Sequence, residues 1–315
     1  MSNERISVAI SLFNEDGVIV ELLQRLGRML AELPGGPHEL VLVDDGSTDR
    51  TAELLAAAAA EDPRVVAISL SRRFGHQAAL SAALDHVSGD VVIVMDGDLQ
   101  DPPEAIPQFM AEYHKGFDVV YARRVQRKEG ALLRLGYFLF YRMVALLSDV
   151  RLPLDAGDFA LLSRRVVDGL RSLPEHHRYL RGLRTWVGFQ QTGIPVERSE
   201  RFAGTSKYSG VRLFALAFDA VFAFSMVPLR AASLLGLTAV LGSLLFATYS
   251  VYVKLVHGQT PRGFTALIVA FAFLSGVQLL FLGVIGEYVG RVYEETKGRP
   301  HYLIRTITGR PRDGS

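Results

Sequence analysis

The chain has 315 residues, room for one large or two modest domains, and carries 34 Lys and Arg against 33 Asp and Glu. That balance gives no support to a nucleic-acid partner. The absence of cysteine excludes a disulfide framework, a thiolate metal site and a cysteine nucleophile.

In chain order, Ile6 to Leu12 reads as a buried strand. Asp16 to Leu33 has helical periodicity and stops at Pro34-Gly35-Gly36-Pro37. Leu40 to Val43 is a second strand, followed by Asp44-Asp45-Gly46-Ser47-Thr48-Asp49. Thr48 or Asp49 can cap the alanine-rich helix that runs to about Ala60. Val65 to Leu70 is a third strand, Gln77 to His86 a helix, and Val91 to Met95 a fourth strand. Pro102-Pro103-Glu104 opens another helix, and Val119 to Tyr121 is a further strand. Alternation of this kind predicts an α/β domain built on a doubly wound parallel sheet.

Leu132 to Val150 and Val211 to Met226 are amphipathic and suit helices lying in a membrane interface, although a core-facing helix would show the same pattern. Ala231 to Val253 and Phe264 to Gly286 are each 23 residues without a charge. As helices they would each span roughly 34 Å, enough for a bilayer core. The chain thus divides into a soluble domain (1–208, with an interfacial helix at about 131–150), a juxtamembrane helix (209–228), a transmembrane hairpin (229–290) and a basic tail (291–315). The tail carries six Lys or Arg and the turn between the spans only Lys254 and Arg262. The N-terminus meets charge at once, at Glu4 and Arg5, with no apolar signal segment. Together these features place both termini and the soluble domain in the cytoplasm, at a bacterial inner membrane. Gly286-x-x-x-Gly290 could pack helices within the hairpin or between copies of a homo-oligomer.

Asp96-Gly97-Asp98 follows the fourth strand. Ligands of open α/β sheets bind past the strand C-termini, and paired carboxylates there suit a hard divalent cation, Mg²⁺ or Mn²⁺, completed by substrate phosphates. The reading is a metal–diphosphate site of a nucleotide-sugar transferase, against a plain solvated turn. Asp44 and Asp45, ahead of a glycine turn, suit a base and ribose, although a turn that caps a helix looks the same. No Gly-x-Gly-x-x-Gly, Gly-Lys-Ser/Thr or His-Glu-x-x-His is present.

These segments, in this order, resemble the family-2 inverting glycosyltransferases of the GT-A fold, and more narrowly the polyprenyl-phosphate branch: bactoprenol glucosyl, dolichyl-phosphate mannose and aminoarabinose transferases. Ser11-Leu12-Phe13-Asn14-Glu15 stands where the family has a Pro-x-Tyr-Asn-Glu strand end, without the proline and with Phe for Tyr. Asp44 to Asp49 matches its nucleotide-binding Asp-Asp-Gly-Ser-x-Asp, and Arg72 to Gln77, with Gly75, its Asn-x-Gly-like turn. Asp96-Gly97-Asp98-Leu99-Gln100-Asp101-Pro102-Pro103-Glu104 is close to a signature of the lipid-phosphate branch. The resemblance covers essentially the whole chain.

By resemblance, Asp96, Asp98 and Gln100 hold the metal and its diphosphate. Phe13, Asn14, Glu15, Asp44 and Asp45 bind the nucleoside. Arg201, Ser206 and Lys207, in the Gly204-Thr205-Ser206-Lys207-Tyr208 segment, close over the pyrophosphate. Asp158 sits at the family's acceptor-side acid, as a base or an orienting group; a helix-start cap is its bland alternative. Arg123 and Arg134 are set to meet the acceptor phosphate at the headgroup level, where anionic lipid would also attract them. The expected reaction is transfer of a hexose, with inversion, from a nucleotide sugar to a polyprenyl phosphate. UDP-glucose is preferred, while UDP-aminoarabinose derivatives, GDP-mannose and a diacylglycerol acceptor stay open. The contrasting reading is a membrane scaffold on an inactive transferase fold. Arg181 and Arg184 precede Trp186 without forming Gln-x-x-Arg-Trp, which argues against a processive polysaccharide synthase.

Overall fold

The computed structural model describes residues 4–124, 156–175, 178–197, 227–257 and 263–309. The interfacial helices expected at about 131–150 and 209–228 lie outside them, save where Val227 opens a long helix. So do Arg134, Arg201, Ser206 and Lys207.

Among the described residues eight strands form one sheet: β1 (Ile6–Leu12), β2 (Glu39–Asp44), β3 (Val65–Leu70), β4 (Val91–Asp96), β5 (Val119–Arg124), β6 (Ala156–Ser163), β7 (Gln191–Val196) and β8 (Ile304–Thr308). Their order is β7-β5-β6-β4-β1-β2-β3-β8. The helices α1 (Ile19–Glu32), α2 (Thr51–Glu61), α3 (His76–His86), α4 (Ile106–Tyr113), α5 (Arg164–Ser172) and α6 (Leu180–Trp186) accompany it. The doubly wound sheet is present, but it is mixed. The pairs β1–β2, β1–β4, β2–β3 and β5–β7 are parallel, whereas β6 runs antiparallel between β4 and β5, and β8 antiparallel along β3.

All seven residues of β1 are buried, as are all six of β2, because strands covered on both faces have no solvent side to mark with polar residues. Helix α1 turns Ile19, Leu22, Leu26, Met29 and Leu30 inward at a spacing of three and four. On its outer side Arg25 forms a fork with both carboxylate oxygens of Glu104. The alanine-rich α2 starts at Thr51, whose backbone N–H donates to Asp49 Oδ1 at 3.0 Å, so Asp49 supports the helix start; Thr48 instead binds Asn14. The two prolines open a short 3₁₀ turn, Pro103–Ala105, that runs into α4.

The edge opposite the strand C-termini is held by one buried acid. Glu39, 6% exposed, accepts from Ser7 Oγ, from the N–H and Oγ of Ser88, and from Arg5 Nη2 at 2.7 Å. It thereby joins the starts of β1 and β2 to the turn before β4. Burial pushes its carboxyl up, and these donors outweigh burial, leaving it below its ordinary range.

The described residues divide into two units: the sheet with its helices, which includes the segment from Arg299 onward, and a helical pair, α7 (Val227–His257) and α8 (Phe264–Thr296). Both helices are long and apolar enough to cross a bilayer, with mean hydropathy of 1.8 in the most apolar 18-residue stretch of Leu229–Val256 and 2.4 in that of Leu267–Thr296. They contain the two expected spans and extend into polar flanks, as where Glu287 and Arg291 pair on α8. Large apolar side chains such as Leu245 and Phe271, each 73% exposed, face outward. Two such helices suggest a membrane association.

Glu39→Gln is expected to lower stability by about 2 kcal/mol, since it removes a buried charge with four donors. The carboxyl is depressed in the native state, so its stabilisation is complete above the unfolded value of about 4.3 and fades as pH falls through the lower native value. Thermal unfolding of both forms across pH 7 to 3 checks this; a gap that does not narrow in acid contradicts it.

Candidate active site

The parallel strands β1, β2 and β4 end on the same edge of the sheet, and each is followed by polar residues. After β1, Asn14 adopts a left-handed backbone, φ 56°. Its N–H donates to Ser47 Oγ at 2.9 Å, and its Oδ1 accepts from the Thr48 N–H at 2.8 Å. The Glu15 N–H donates to Thr51 Oγ1 at 2.9 Å. The Phe13–Glu15 segment is therefore laced to the 44–51 segment by backbone and side-chain bonds. Phe13 lies under the Arg73 guanidinium, 4.0 Å from its ring centre.

At the end of β2, Asp44 is 2% exposed and accepts from the Ser47 N–H at 2.9 Å. Asp45, 3% exposed, accepts from the N–H groups of Phe74, at 2.7 Å, and Gly75. Burial pushes the Asp45 carboxyl up, against the pull of those two donors and of Arg73. Gly75 has φ 103° and precedes α3, so Asp45 fixes where that helix begins and hence where His76 stands. Gly46, φ 69°, lies against the same loop: a Cβ there would stand 2.6 Å from the Arg72 carbonyl carbon and 2.7 Å from the Arg73 nitrogen.

His76 is the residue that sequence reasoning passed over as a site member. Its Nδ1 lies 2.6 Å from Ser11 Oγ and its Nε2 3.6 Å from Asp96 Oδ1. A histidine placed directly after a glycine at a helix start was the available signal. Beyond Asp96, Gly97 packs on β1 so closely that a Cβ would meet Leu12 Cδ2 at 2.3 Å. Asp98 Oδ1 accepts from the Gln100 N–H at 3.2 Å, around Leu99 at φ 56°.

Asp158 arrives from a different direction. It lies within β6, not at the start of a helix. Alternation along that strand sends Phe159 into the core, 4.7 Å from the Phe109 ring, and turns Asp158 to the other face. There it lines a cavity of about 20 Å³ with Leu80 and Leu84 of α3, and Arg181 and Arg184 of α6. Arg181 donates through Nε and Nη2 to the two carboxylate oxygens of Asp158. Burial pushes that carboxyl up, but Arg181, helped by His76 and Arg184, holds it at about 2. Arg181 is raised in return, its loss of water outweighed by Asp158. Arg184 is 4% exposed, and burial lowers it to about 10. Among the described residues its Nε and Nη2 have no hydrogen-bond partner, and its guanidinium lies 5.2 Å from the Tyr121 ring centre.

Ligand atoms of His76, Asp96 and Asp158 all fall within 4.8 Å of one another, an arrangement that could hold a metal ion. Asp96 is therefore common to this group and to the set expected from sequence, Asp96, Asp98 and Gln100. Burial, and next the charge of Asp158, push the Asp96 carboxyl up, while His76 opposes them. Arg123 is exposed on β5, in register with Ala156 and Pro195.

The sequence profile of glycosyl transferase family 2 matches residues 7–171. An uncharacterized glycosyltransferase, YkcC, of Bacillus subtilis (strain 168) is 40% identical over 304 residues, 96% of this chain and 94% of its own. The bactoprenol glucosyl transferase of Shigella phage SfX is 40% identical over 303 residues, 96% of this chain and 99% of its own. A solved structure, glucosyl-3-phosphoglycerate synthase from Mycobacterium tuberculosis in complex with Mn²⁺, UDP-glucose and phosphoglyceric acid, is 22% identical. It aligns 70% of this chain with 78% of that one at a TM-score of 0.49.

Gly46→Ala is expected to cost about 2 kcal/mol, from the left-handed backbone and the crowding against Arg72 and Arg73, and to lower Tm by roughly 4–8 °C. Differential scanning fluorimetry measures it; an unchanged Tm would mean that the loop yields freely.

Proposed function

The chain belongs to glycosyl transferase family 2, and from that premise we propose that it moves a hexose from a nucleoside-diphosphate sugar to the phosphate of a polyprenyl phosphate. It is a glycosyltransferase by family. Its near-full-length likeness to a bactoprenol glucosyl transferase supports the lipid-phosphate acceptor and makes UDP-glucose the preferred donor.

The observation that carries the acceptor assignment is the grip of Arg181 on Asp158. A hydroxyl acceptor has to lose a proton to become a good nucleophile, and a carboxylate kept for that task is better left unpaired. Here both oxygens of the acceptor-side acid are engaged. A phosphate monoester, with a second pKa of about 6, arrives already ionised and needs only orientation. This favours a lipid phosphate over the hydroxyl of a diacylglycerol.

In this reading Phe13, Asn14, Glu15, Asp44 and Asp45 seat the nucleoside at the ends of β1 and β2. Arg201, Ser206 and Lys207 close over the pyrophosphate. Asp96 and Asp98, with Gln100 beside them, would hold Mg²⁺ or Mn²⁺; a donor set of oxygens fits a hard cation. That ion would supply positive charge to the departing diphosphate. Arg123 and Arg134 meet the acceptor phosphate, and Asp158 orients the acceptor or the sugar. The phosphate oxygen attacks the anomeric carbon from the face opposite the leaving group, which inverts the configuration.

Strand connectivity supports one side of the membrane for all of this. β3 precedes both long helices and β8 follows them, yet the two strands pair. If α7 and α8 each cross the bilayer, the sheet and the tail share a side, and the basic tail makes that side the cytoplasm.

The test is transfer by the protein in detergent, with Mg²⁺ or Mn²⁺, labelled UDP- and GDP-sugars, and undecaprenyl phosphate or diacylglycerol as acceptor. Label from UDP-glucose is expected in the lipid, lost with chelator and reduced about 100-fold or more in Asp98→Asn. Label from another donor reassigns the sugar. Label entering diacylglycerol but never the polyprenyl phosphate overturns the acceptor.

A further inference from the structure

Beyond helping to hold Asp158 ionised, Arg184 has no structural duty for its charge evident among the described residues. It is 4% exposed, yet among the described residues two of its guanidinium nitrogens, Nε and Nη2, have no hydrogen-bond partner. Its neighbours across the cavity are mostly apolar: Leu80, Leu84, Ala160 and Leu162. A methionine would fill that place without leaving buried donors unsatisfied, and such replacements of buried charges are often neutral or stabilising. Arg184 also stands three residues from Arg181 on α6, where like charges repel unless an anion is shared. Asp158 is that anion, but Arg181 already occupies both of its oxygens. One negative and two positive charges leave the group with a positive surplus.

We propose that Asp158, Arg181 and Arg184 form one phosphate-facing subsite, in which Arg184 supplies the surplus charge that lets a dianionic acceptor approach an edge otherwise crowded with acids. The need is plain from the surroundings. Asp96 and Asp158 bring carboxylate atoms within 4.8 Å of each other, and Asp98 and Asp101 add their charge to Asp96. A lipid phosphate coming to Asp158 would meet net repulsion without compensation from behind. A fixed positive charge inside a poorly solvated wall acts over several ångströms without touching the phosphate, because little water screens it. Tyr121 holds the guanidinium in place from β5, and Arg123, two residues further along the same strand, carries the expected direct phosphate contact. Arg184 is therefore a positioning residue, working through the potential at Asp158.

This inference rests on the transfer reading above, and the experiment separates the two. Wild type, Arg184→Met and Arg184→Lys are assayed as full-length protein in detergent with UDP-glucose and undecaprenyl phosphate. Nucleotide binding is measured by calorimetry and Tm by fluorimetry. Arg184→Met is expected to raise the KM for undecaprenyl phosphate about tenfold or more, with UDP affinity unchanged and Tm unchanged or higher. Arg184→Lys, which keeps the charge in a different shape, is expected to recover most of the acceptor KM. An unchanged acceptor KM in Arg184→Met overturns the inference. So does a lysine variant as impaired as the methionine variant, since shape rather than charge would then matter. A fall in Tm with loss of UDP binding in Arg184→Met assigns Arg184 to the fold and overturns it too. A wild type that binds UDP but labels no lipid overturns the transfer reading itself.

Discussion

Two backbone N–H groups, those of Phe74 and Gly75, converge on the buried carboxylate of Asp45, and much of the site's placement follows from that anchorage. Asp45 closes β2, while Phe74 and Gly75 close the connection from β3 to α3. The bonds fix the first turn of α3 beside the ends of β1 and β4, so that His76 reaches both Ser11 and Asp96. Parallel strands supply only a common edge; their C-terminal groups still have to be brought into one cluster. Here a short acid does so by binding backbone, which costs less conformational freedom than holding long side chains together. Gly46 belongs to the same arrangement, since only a residue without a Cβ lets the 72–75 loop lie that close.

The second organising element is electrostatic. The strand ends gather acids, and a group of acids in a partly buried edge is unfavourable until cations are supplied. The cation that pairs with Asp158, Arg181, comes from the protein itself, on a short helix that covers the face opposite the main apolar cluster. The remaining deficit is what a divalent ion would fill. Asp158 and Asp96 therefore differ although they are near neighbours: the guanidinium fork keeps Asp158 charged, while burial and that same charge push Asp96 up.

The pattern of residues made some of this legible and hid the rest. Strands β1, β2 and β4 were plain because burial on both faces demands unbroken apolar runs, and the acids after them pointed to the candidate site's edge. Strands β6, β7 and β8 were not. β6 carries Asp158 in its middle, β7 contains Gly193 and Pro195, tolerable only because it is an edge, and β8 alternates with Arg305. Arg181 and Arg184 entered the reading only as the absence of a familiar motif. Their meaning depends on Asp158, 23 residues earlier than Arg181 and on another element, a contact that local periodicity does not encode. His76 was hidden for the same reason, its partners Ser11 and Asp96 being distant in sequence. Arg134, read from its basic cluster, and Arg201, Ser206 and Lys207, read from family resemblance, lie outside the described residues.

Strand β8 imposes an order on the making of the protein. It seals β3 through backbone pairing. The Ser71 N–H donates to the Leu303 carbonyl, Arg305 Nη2 to the Ser71 carbonyl, and Tyr302 hydroxyl to Asp85 on α3. The ribosome produces it after both long helices. Until then β3 is a bare edge, and such edges invite pairing with other chains. The sheet can therefore reach its final form only once the hairpin has been synthesised and β8 has returned to β3. Completion of the sheet thus reports that both long apolar helices have already been synthesised.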